Sequence, residues 1–213
     1  MRDFYFFSIL RSVSDSCTAR GDVGMAKGMK IIAWLSITIT VVFLIIYQIK
    51  PLGVFYTIVI TAGTVSYHFW MRLLVGGLFN KLMHNKADYN QKWFRVGKTE
   101  QKLYRFLKVK KWKKHFPTYD PSAFDKRKHS WCEIAQAMCQ AELVHETIII
   151  LSFLPILASI WFGSVCVFVL TSLLSALFDA IFVVIQRYNR PRVLNLVKSE
   201  CEKAAPEDFR PSH

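Results

Sequence analysis

The sequence predicts an all-α integral membrane protein, with four transmembrane helices in two hairpins and a basic, aromatic cytoplasmic lobe between them. Of the 213 residues, 53% are hydrophobic, and the mean hydropathy is +0.25, which is typical of membrane proteins. Four apolar segments approach the roughly 20 residues that a helix needs to cross a bilayer. One such segment can be a buried helix of a soluble protein, but four in so short a chain favour a membrane.

The four predicted spans differ in how apolar they are. The first carries no charged residue, the second carries His68 and Arg72, the third is somewhat short, and the fourth contains Asp179. Lys50-Pro51 predicts the turn of the first hairpin and Gly163 the turn of the second. The predicted spans are 31–49, 52–79, 147–162 and 164–185.

Domain boundaries follow from these spans. The apolar stretch between Arg2 and Arg11 is too short for a signal peptide and predicts a short interfacial helix. Residues 131–146 predict a helix that runs directly into the third span. The predicted segments are 1–30 (N-terminal, cytoplasmic or interfacial), 31–80 (first hairpin), 81–130 (lobe), 131–195 (interfacial helix and second hairpin) and 196–213 (C-terminal tail, loose in its last dozen residues).

The distribution of basic residues predicts the orientation. Five Lys or Arg lie in 1–30, fifteen in 81–130 and six in 186–213, whereas only Lys50 lies between the spans on the opposite side. Cytoplasmic loops collect Lys and Arg, so we expect a multi-pass protein with the lobe and both termini in the cytoplasm. Topology and attraction to anionic headgroups thereby explain the net charge of +13 without nucleic acid as a partner.

The lobe is rich in both aromatic and basic residues, which is unlike a disordered linker. Residues 99–107 predict a helix, and we expect the lobe to fold against the membrane surface. The run 108–114 (KVKKWKK) has two interpretations. Lys111 and Trp112 either recognise a phosphorylated acyl donor, or they bind lipid headgroups through charge and an interfacial tryptophan.

Ionisable residues at membrane depth are costly and mark candidate sites. Glu142, His145 and Glu146 are spaced to share one face of a helix. Counting outward from the turn at Gly163 at equal rise per residue, Glu146 lies level with residue 180. The acidic face is therefore expected to meet Asp179 and the polar cluster of residues 186–192 across the hairpin.

This convergence has a functional and a structural interpretation. In the first, His145 acts as a general base oriented by a neighbouring carboxylate, with Glu142 as a second catalytic residue. The polar cluster then binds a donor phosphate or a developing oxyanion. In the second, the same charges form an ion-pair network that locks the hairpin. The candidate substrate-binding residues of the cluster are Gln186, Arg187, Asn189, Arg190 and Arg192.

His68 and Arg72 lie one helical turn apart in the second span. They either reach the same site from the first hairpin, or Arg72 snorkels to the membrane surface and His68 is a satisfied buried histidine. Both residues are candidates for substrate binding.

Other enzyme signatures are weak or missing. His115 and Asp120 have the HxxxxD spacing of one class of glycerolipid acyltransferases, but Pro117 lies between them and chance matches are frequent. No GxSxG, Walker A, GxGxxG or HExxH motif occurs. Cysteines without a CxxC pair predict free thiols and no metal site; they are Cys17, Cys132, Cys139, Cys166 and Cys201.

Three motifs carry a resemblance to a known family. They are residues 104–113 (YRFLKVKKWK), 141–145 (AELVH) and 185–192 (IQRYNRPR). Together they resemble the glycosyl-4,4'-diaponeurosporenoate acyltransferases, small bacterial membrane proteins that add a fatty acyl group to the sugar of a glycosylated carotenoid. The chain differs from the family pattern at Glu146, where the family has tryptophan, and at Phe178-Asp179-Ala180, where it often has Asn-Leu-Pro.

The resemblance implies a bacterial cell-membrane acyltransferase. It would move a fatty acyl group onto a hydroxyl of a glycosylated isoprenoid or another glycolipid. Implied partners are membrane lipids, a lipid-linked glycoside acceptor and an activated acyl donor. That donor, an acyl-CoA or acyl carrier, is a co-substrate, and no bound cofactor is expected. The main alternative is a non-enzymatic lipid-binding or accessory membrane protein. A small transporter is a third class, disfavoured because the charges cluster at one interface.

Overall fold

The computed structural model describes residues 27–116 and 121–204. Within these ranges the chain is helical and has no strand, and it forms four helical segments long and apolar enough to cross a membrane. The predicted fold class is therefore confirmed. The helices are α1 (Lys27–Ile49), α2 (Gly53–Met83), α3 (Lys98–Phe106), α4 (Val109–Trp112), α5 (Trp131–Leu151), α6 (Leu154–Phe162) and α7 (Val165–Ala204).

The first hairpin consists of α1 and α2 and turns at Lys50-Pro51, as predicted. The amide of Leu52 donates to the carbonyl of Lys50 at 2.8 Å and closes the turn. Three aromatic pairs join the helices: Trp34 with Trp70 at 5.2 Å between ring centroids, Phe43 with Phe55 at 6.0 Å, and Tyr47 with Tyr56 at 5.4 Å.

The second hairpin turns at Gly163, also as predicted. Gly163 has a φ of 66° and Ser164 a φ of 50°, so the chain reverses through the left-handed region that glycine adopts without strain. The helix predicted over 131–146 does run into the third span. Its first turn is capped by Ser130, whose hydroxyl accepts from the amide of Glu133 at 3.2 Å, in a reciprocal capping box.

The third span is interrupted between α5 and α6. Pro155 has no amide hydrogen, so the carbonyl of Leu151 lacks its helical donor. The hydroxyl of Tyr67 on α2 donates to that carbonyl at 2.9 Å. Because an unsatisfied carbonyl is costly away from water, this bond accommodates the break and ties the two hairpins together.

The lobe packs on the ends of α2 and α5. Ala87, Phe94 and Cys139 form its small buried core. The predicted helix over 99–107 is confirmed as α3. Tyr104 of α3 is buried, whereas Leu103 and Phe106 of the same helix are exposed. These two side chains form an apolar ridge outside the core.

The predicted fourth span, 164–185, is the apolar part of a longer helix. α7 continues through Pro191 to Ala204, so the predicted boundary at 195/196 falls inside a helix. Proline removes one hydrogen bond, the one to the carbonyl of Arg187. Ion pairs hold the helix on both sides of that position, since Arg187 pairs with Glu100 of α3 before it and Glu200 pairs with Lys126 after it.

Several predictions concern residues outside the described ranges. These are the interfacial helix within 1–30, Cys17, Asp120 of the HxxxxD pair, and the tail beyond Ala204. Within the described ranges, the thiols of Cys132, Cys139, Cys166 and Cys201 are free.

Candidate active site

Asp179 is the centre of a polar cluster that joins α2, α5 and α7. Its side chain is 1% exposed. One carboxylate oxygen lies 2.9 Å from Nδ1 of His145 on α5. The other accepts two hydrogen bonds from Arg72 on α2, at 3.0 Å from Nε and 2.6 Å from Nη2. A carboxylate buried this deeply needs such compensation, since an unpaired charge in hydrocarbon is strongly disfavoured.

The snorkelling interpretation of Arg72 is wrong. Its guanidinium turns across the bundle to Asp179 and also donates to the hydroxyl of Ser175 at 2.8 Å. Ser175 in turn lies 2.8 Å from the hydroxyl of buried Ser152, the residue that directly follows α5. The first hairpin thus contributes to the site through Arg72.

The imidazole of His145 has a defined orientation. Its ring stacks on Phe182 with 4.8 Å between centroids and an interplanar angle of 10°. Phe182 is also in edge contact with Phe116 of the lobe. The His145 side chain is 21% exposed, and its Nε2 makes no hydrogen bond to another described residue. One ring nitrogen is therefore held by Asp179 while the other remains available.

Helical geometry explains why these residues meet. α5 packs along α7 in the most extensive helix contact among the described elements. Equal rise from Gly163 places His145 level with residue 181, and its observed partner, Asp179, lies two residues from that position. The hairpin register alone therefore brings the histidine and the carboxylate together.

The second polar cluster confirms the predicted meeting of the acidic face with the arginines. Glu142 is fully buried and accepts from Nη1 of Arg187 at 2.6 Å. It also pairs with Arg190, which is itself fully buried. Arg190 further donates to the carbonyl of Phe94 at 2.7 Å and lies over that ring. Both guanidiniums are thus occupied by protein groups.

Glu100 on α3 is a partner that the sequence interpretation missed. It accepts from Nε of Arg187 at 2.5 Å and from the hydroxyl of Tyr104. Burial acts to raise the pKa of Glu100, but these hydrogen bonds and the charge of Arg187 outweigh it and hold the pKa below the ordinary value. The ion pair fastens the lobe to α7. Its only sequence signal was the position of Glu100 in the first turn of a predicted helix.

The remaining residues of the polar cluster face the basic run of the lobe. Asn189 accepts a hydrogen bond from Lys113. Arg192 donates to the hydroxyl of Tyr188 at 3.1 Å. Gln186 is half-buried and makes no side-chain hydrogen bond to another described residue. None of these side chains contacts His145 directly.

Three predicted binding residues remain, Lys111 and Trp112 on the lobe and His68, which like Arg72 lies in α2. Lys111 is exposed, and Trp112 donates to the carbonyl of Leu107 at 2.9 Å. Trp112 also contacts Phe116 edge-on, at 5.6 Å, and is therefore linked indirectly to Phe182. His68 is 4% exposed, and neither ring nitrogen has a hydrogen-bond partner among the described residues.

The other two candidates take no part in the Asp179 cluster. His115 is exposed, with Nδ1 3.3 Å from the carbonyl of Trp112, and its HxxxxD partner lies outside the described ranges. Glu146 accepts from the indole of Trp93 at 2.9 Å. The structure therefore separates Glu146 from the two clusters centred on Asp179 and Glu142.

Comparison with known proteins gives one match. A family model described as glycosyl-4,4'-diaponeurosporenoate acyltransferase matches residues 86–199, a range that includes the lobe, His145, Asp179 and the arginines of α7. It leaves out α1 and α2, which supply Arg72. No curated protein and no solved structure matches the chain. With more than half of the chain matched, the protein belongs to the glycosyl-4,4'-diaponeurosporenoate acyltransferase family and is an acyltransferase.

Proposed function

We propose that the protein transfers a fatty acyl group from an activated thioester donor to a hydroxyl of a glycosylated isoprenoid or another glycolipid. The observation that carries this proposal is the contact between His145 and Asp179. An imidazole with one nitrogen held by a carboxylate and the other available is the arrangement that general base catalysis of acyl transfer requires.

The chemistry follows from the orientation of the ring. With Nδ1–H donated to Asp179, Nε2 of His145 carries a lone pair and accepts the proton of the acceptor hydroxyl. The hydroxyl oxygen then attacks the thioester carbonyl carbon, the new C–O bond forms and the C–S bond breaks. His145 returns the proton to the departing thiolate. The products are an ester and a free thiol, and the enzyme regains its starting state.

Arg72 acts as a positioning residue in this scheme. It occupies the second oxygen of Asp179, which leaves the first to face His145. The imidazolium that forms during proton transfer is stabilised by the same carboxylate. Ser175 and Ser152 extend this support to the end of α5.

The second polar cluster, which is centred on Glu142, has a structural role in this proposal. Arg187 and Arg190 were candidates for binding a donor phosphate, but their guanidiniums are paired with Glu142 and Glu100. We assign them, together with Glu142, the role of joining the lobe to α5 and α7. This part of the molecule fits the ion-pair interpretation, whereas the Asp179 cluster fits catalysis.

The position of the site suits amphiphilic substrates. His145 lies just before the apolar part of the third span, so a sugar hydroxyl can approach from the interface while the lipid tail remains in hydrocarbon. The basic residues of the lobe and of 186–213 favour the cytoplasmic side of the cell membrane. Acyl-CoA or acyl carrier donors would reach the site from that side.

Lipid mass spectrometry of cells tests the proposal. Cells that express the wild-type protein should contain an acylated glycolipid that is missing from cells without the gene, and His145→Ala should abolish it. His115→Ala is the matched control, because this exposed histidine lies outside the Asp179 cluster. An unchanged lipidome in the absence of the protein would contradict the proposed reaction, and full product with His145→Ala would contradict the assigned base.

A further inference from the structure

Two basic side chains, Lys113 and Arg192, lie against the ring of Tyr188 on α7. Nζ of Lys113 lies 4.8 Å from the centre of the Tyr188 ring, and Cζ of Arg192 lies 5.1 Å from the same centre. Lys110 is near enough for its charge to act on Lys113. Asn189 fixes Lys113 through a hydrogen bond. The cluster therefore gathers three positive charges on the lobe side of α7.

These three cations, of which Lys113 is half-buried and Lys110 and Arg192 are exposed, have no carboxylate partner among the described residues. Arg72, Arg187 and Arg190 each pair with an acidic side chain. No ion pair formed by a described residue involves Lys110, Lys113 or Arg192. Burial, followed by the charges of Arg192 and Lys110, lowers the pKa of Lys113. Like charges held together in this way favour an anion as the missing partner.

The cluster lies within reach of the catalytic histidine. Asn189 follows Phe182 by two helical turns, about 10 Å along α7, and Phe182 stacks on His145. Phe116, which follows Lys113 by three residues, also contacts Phe182. A phosphorylated donor with a flexible arm between its phosphate and its thioester therefore spans from one site to the other.

We infer that Lys110, Lys113 and Arg192, supported by Asn189 and Tyr188, form a binding site for a phosphate group. This inference rests on the proposed function, in which the phosphate belongs to the acyl donor. The headgroup of an anionic phospholipid supplies the same chemistry, and the experiment separates the two sources. Arginine and lysine on an aromatic platform provide charge-assisted hydrogen bonds to phosphate oxygens.

The test is a titration of the purified full chain with coenzyme A, which carries the phosphates but no acyl group. The protein is held in nanodiscs of phosphatidylcholine, which has no net charge. We expect Lys113→Ala and Arg192→Ala each to weaken binding by about tenfold or more, since charged hydrogen bonds are lost. Lys102→Ala on α3 is the matched control, an exposed lysine outside the cluster, and should bind as the wild type does.

Two further variants keep the result interpretable. Lys110→Ala removes an exposed charge without disturbing the contact between Lys113 and Asn189, so a loss of binding there does not stem from a displaced lobe. His145→Ala should bind coenzyme A normally, because the measurement involves no chemistry. Normal binding of coenzyme A by His145→Ala would show that this binding does not depend on the proposed base. The phosphate site and the proposed reaction can then fail separately.

A second arm uses nanodiscs that contain phosphatidylglycerol instead of free coenzyme A. One outcome is that the wild type fails to bind coenzyme A but binds phosphatidylglycerol, and that this binding is lost in Lys113→Ala and Arg192→Ala. In that case the phosphate site is supported, and the phosphate comes from a lipid headgroup. If Lys113→Ala and Arg192→Ala weaken the binding of neither ligand more than Lys102→Ala does, the inference is overturned.

Discussion

His145 and Asp179 face each other across α5 and α7, with Nδ1 2.9 Å from Oδ1. The same carboxylate is bound from its other side by Arg72 of α2. One acidic residue thus couples the first hairpin to the histidine of the second. Substitutions can test the roles of His145 and Arg72 separately, since each of them binds a different oxygen of Asp179.

Asp179→Asn should reduce kcat by a factor on the order of 10² with little change in KM. The amide nearly matches the carboxylate in shape, but it neither fixes the imidazole tautomer nor stabilises the imidazolium. Initial rates of ester formation by equal amounts of folded protein measure this. Ser172→Ala on the same helix is the control, because this buried hydroxyl lies outside the Asp179 cluster. A kcat within a few-fold of the wild type would exclude Asp179 as the orienting group.

Arg72→Ala should lower kcat more than Arg72→Lys. Lysine restores the charge beside Asp179 but not the paired hydrogen bonds of the guanidinium fork. The readout is kcat and KM measured separately, with KM expected to stay near the wild-type value. If both variants instead raise KM and leave kcat unchanged, Arg72 binds substrate, as one interpretation of the sequence predicts, and does not position Asp179.

Glu142→Gln should destabilise the fold, because Arg187 and Arg190 would lose a buried counter-charge. Breaking a buried ion pair from one side costs about 3–5 kcal/mol. Thermal unfolding of purified protein detects this as a lower Tm. Glu146→Gln serves as the comparison, since its bond to Trp93 is exposed and its loss should matter far less. An unchanged Tm with abolished activity would return Glu142 to the catalytic group.

Acidification should release α3 from α7. The pKa of Glu100 is depressed in the folded protein from its ordinary value of 4.5. Its stabilising effect is therefore complete above pH 4.5 and is lost as the pH falls through the folded pKa. Hydrogen exchange of the α3 amides should accelerate in that window, with the α5 amides as internal reference. Glu100→Gln should show fast exchange of α3 at neutral pH as well, and slow exchange in this variant would contradict the role of the Glu100–Arg187 pair.

The elements predicted correctly from the sequence are those that depend on neighbouring residues in the chain. Apolar runs and the turns at Lys50-Pro51 and Gly163 predicted two hairpins, and helical rise then placed His145 within two residues of the level of Asp179. The continuation of α7 past the predicted boundary at 195/196 was not predicted, because a proline and dense charge are typical of a helix terminus. The lobe helices that pack against this stretch are distant in sequence, so their stabilising effect could not be read from it.

It was harder to predict which residues of the site pair with each other than which residues lie close together. Arg187 and Arg190 were expected near acidic residues and are, but Glu100 was not foreseen, because a carboxylate on a short lobe helix has no fixed distance from α7. The sequence left open whether Arg72 snorkels to the membrane surface, as arginine near a helix end often does, or reaches the site from the first hairpin. Only the packing of α2 against α7 decides that its guanidinium meets Asp179 instead.

The most direct measurement is acyl transfer by purified protein in nanodiscs, with an acyl-CoA donor and a glycosylated isoprenoid acceptor. The rate of ester formation is compared among the wild type, His145→Ala and the His115→Ala control. We predict a loss on the order of 10²-fold or more for His145→Ala and a wild-type rate for His115→Ala. A His145→Ala variant that forms ester within a few-fold of the wild-type rate would contradict the account.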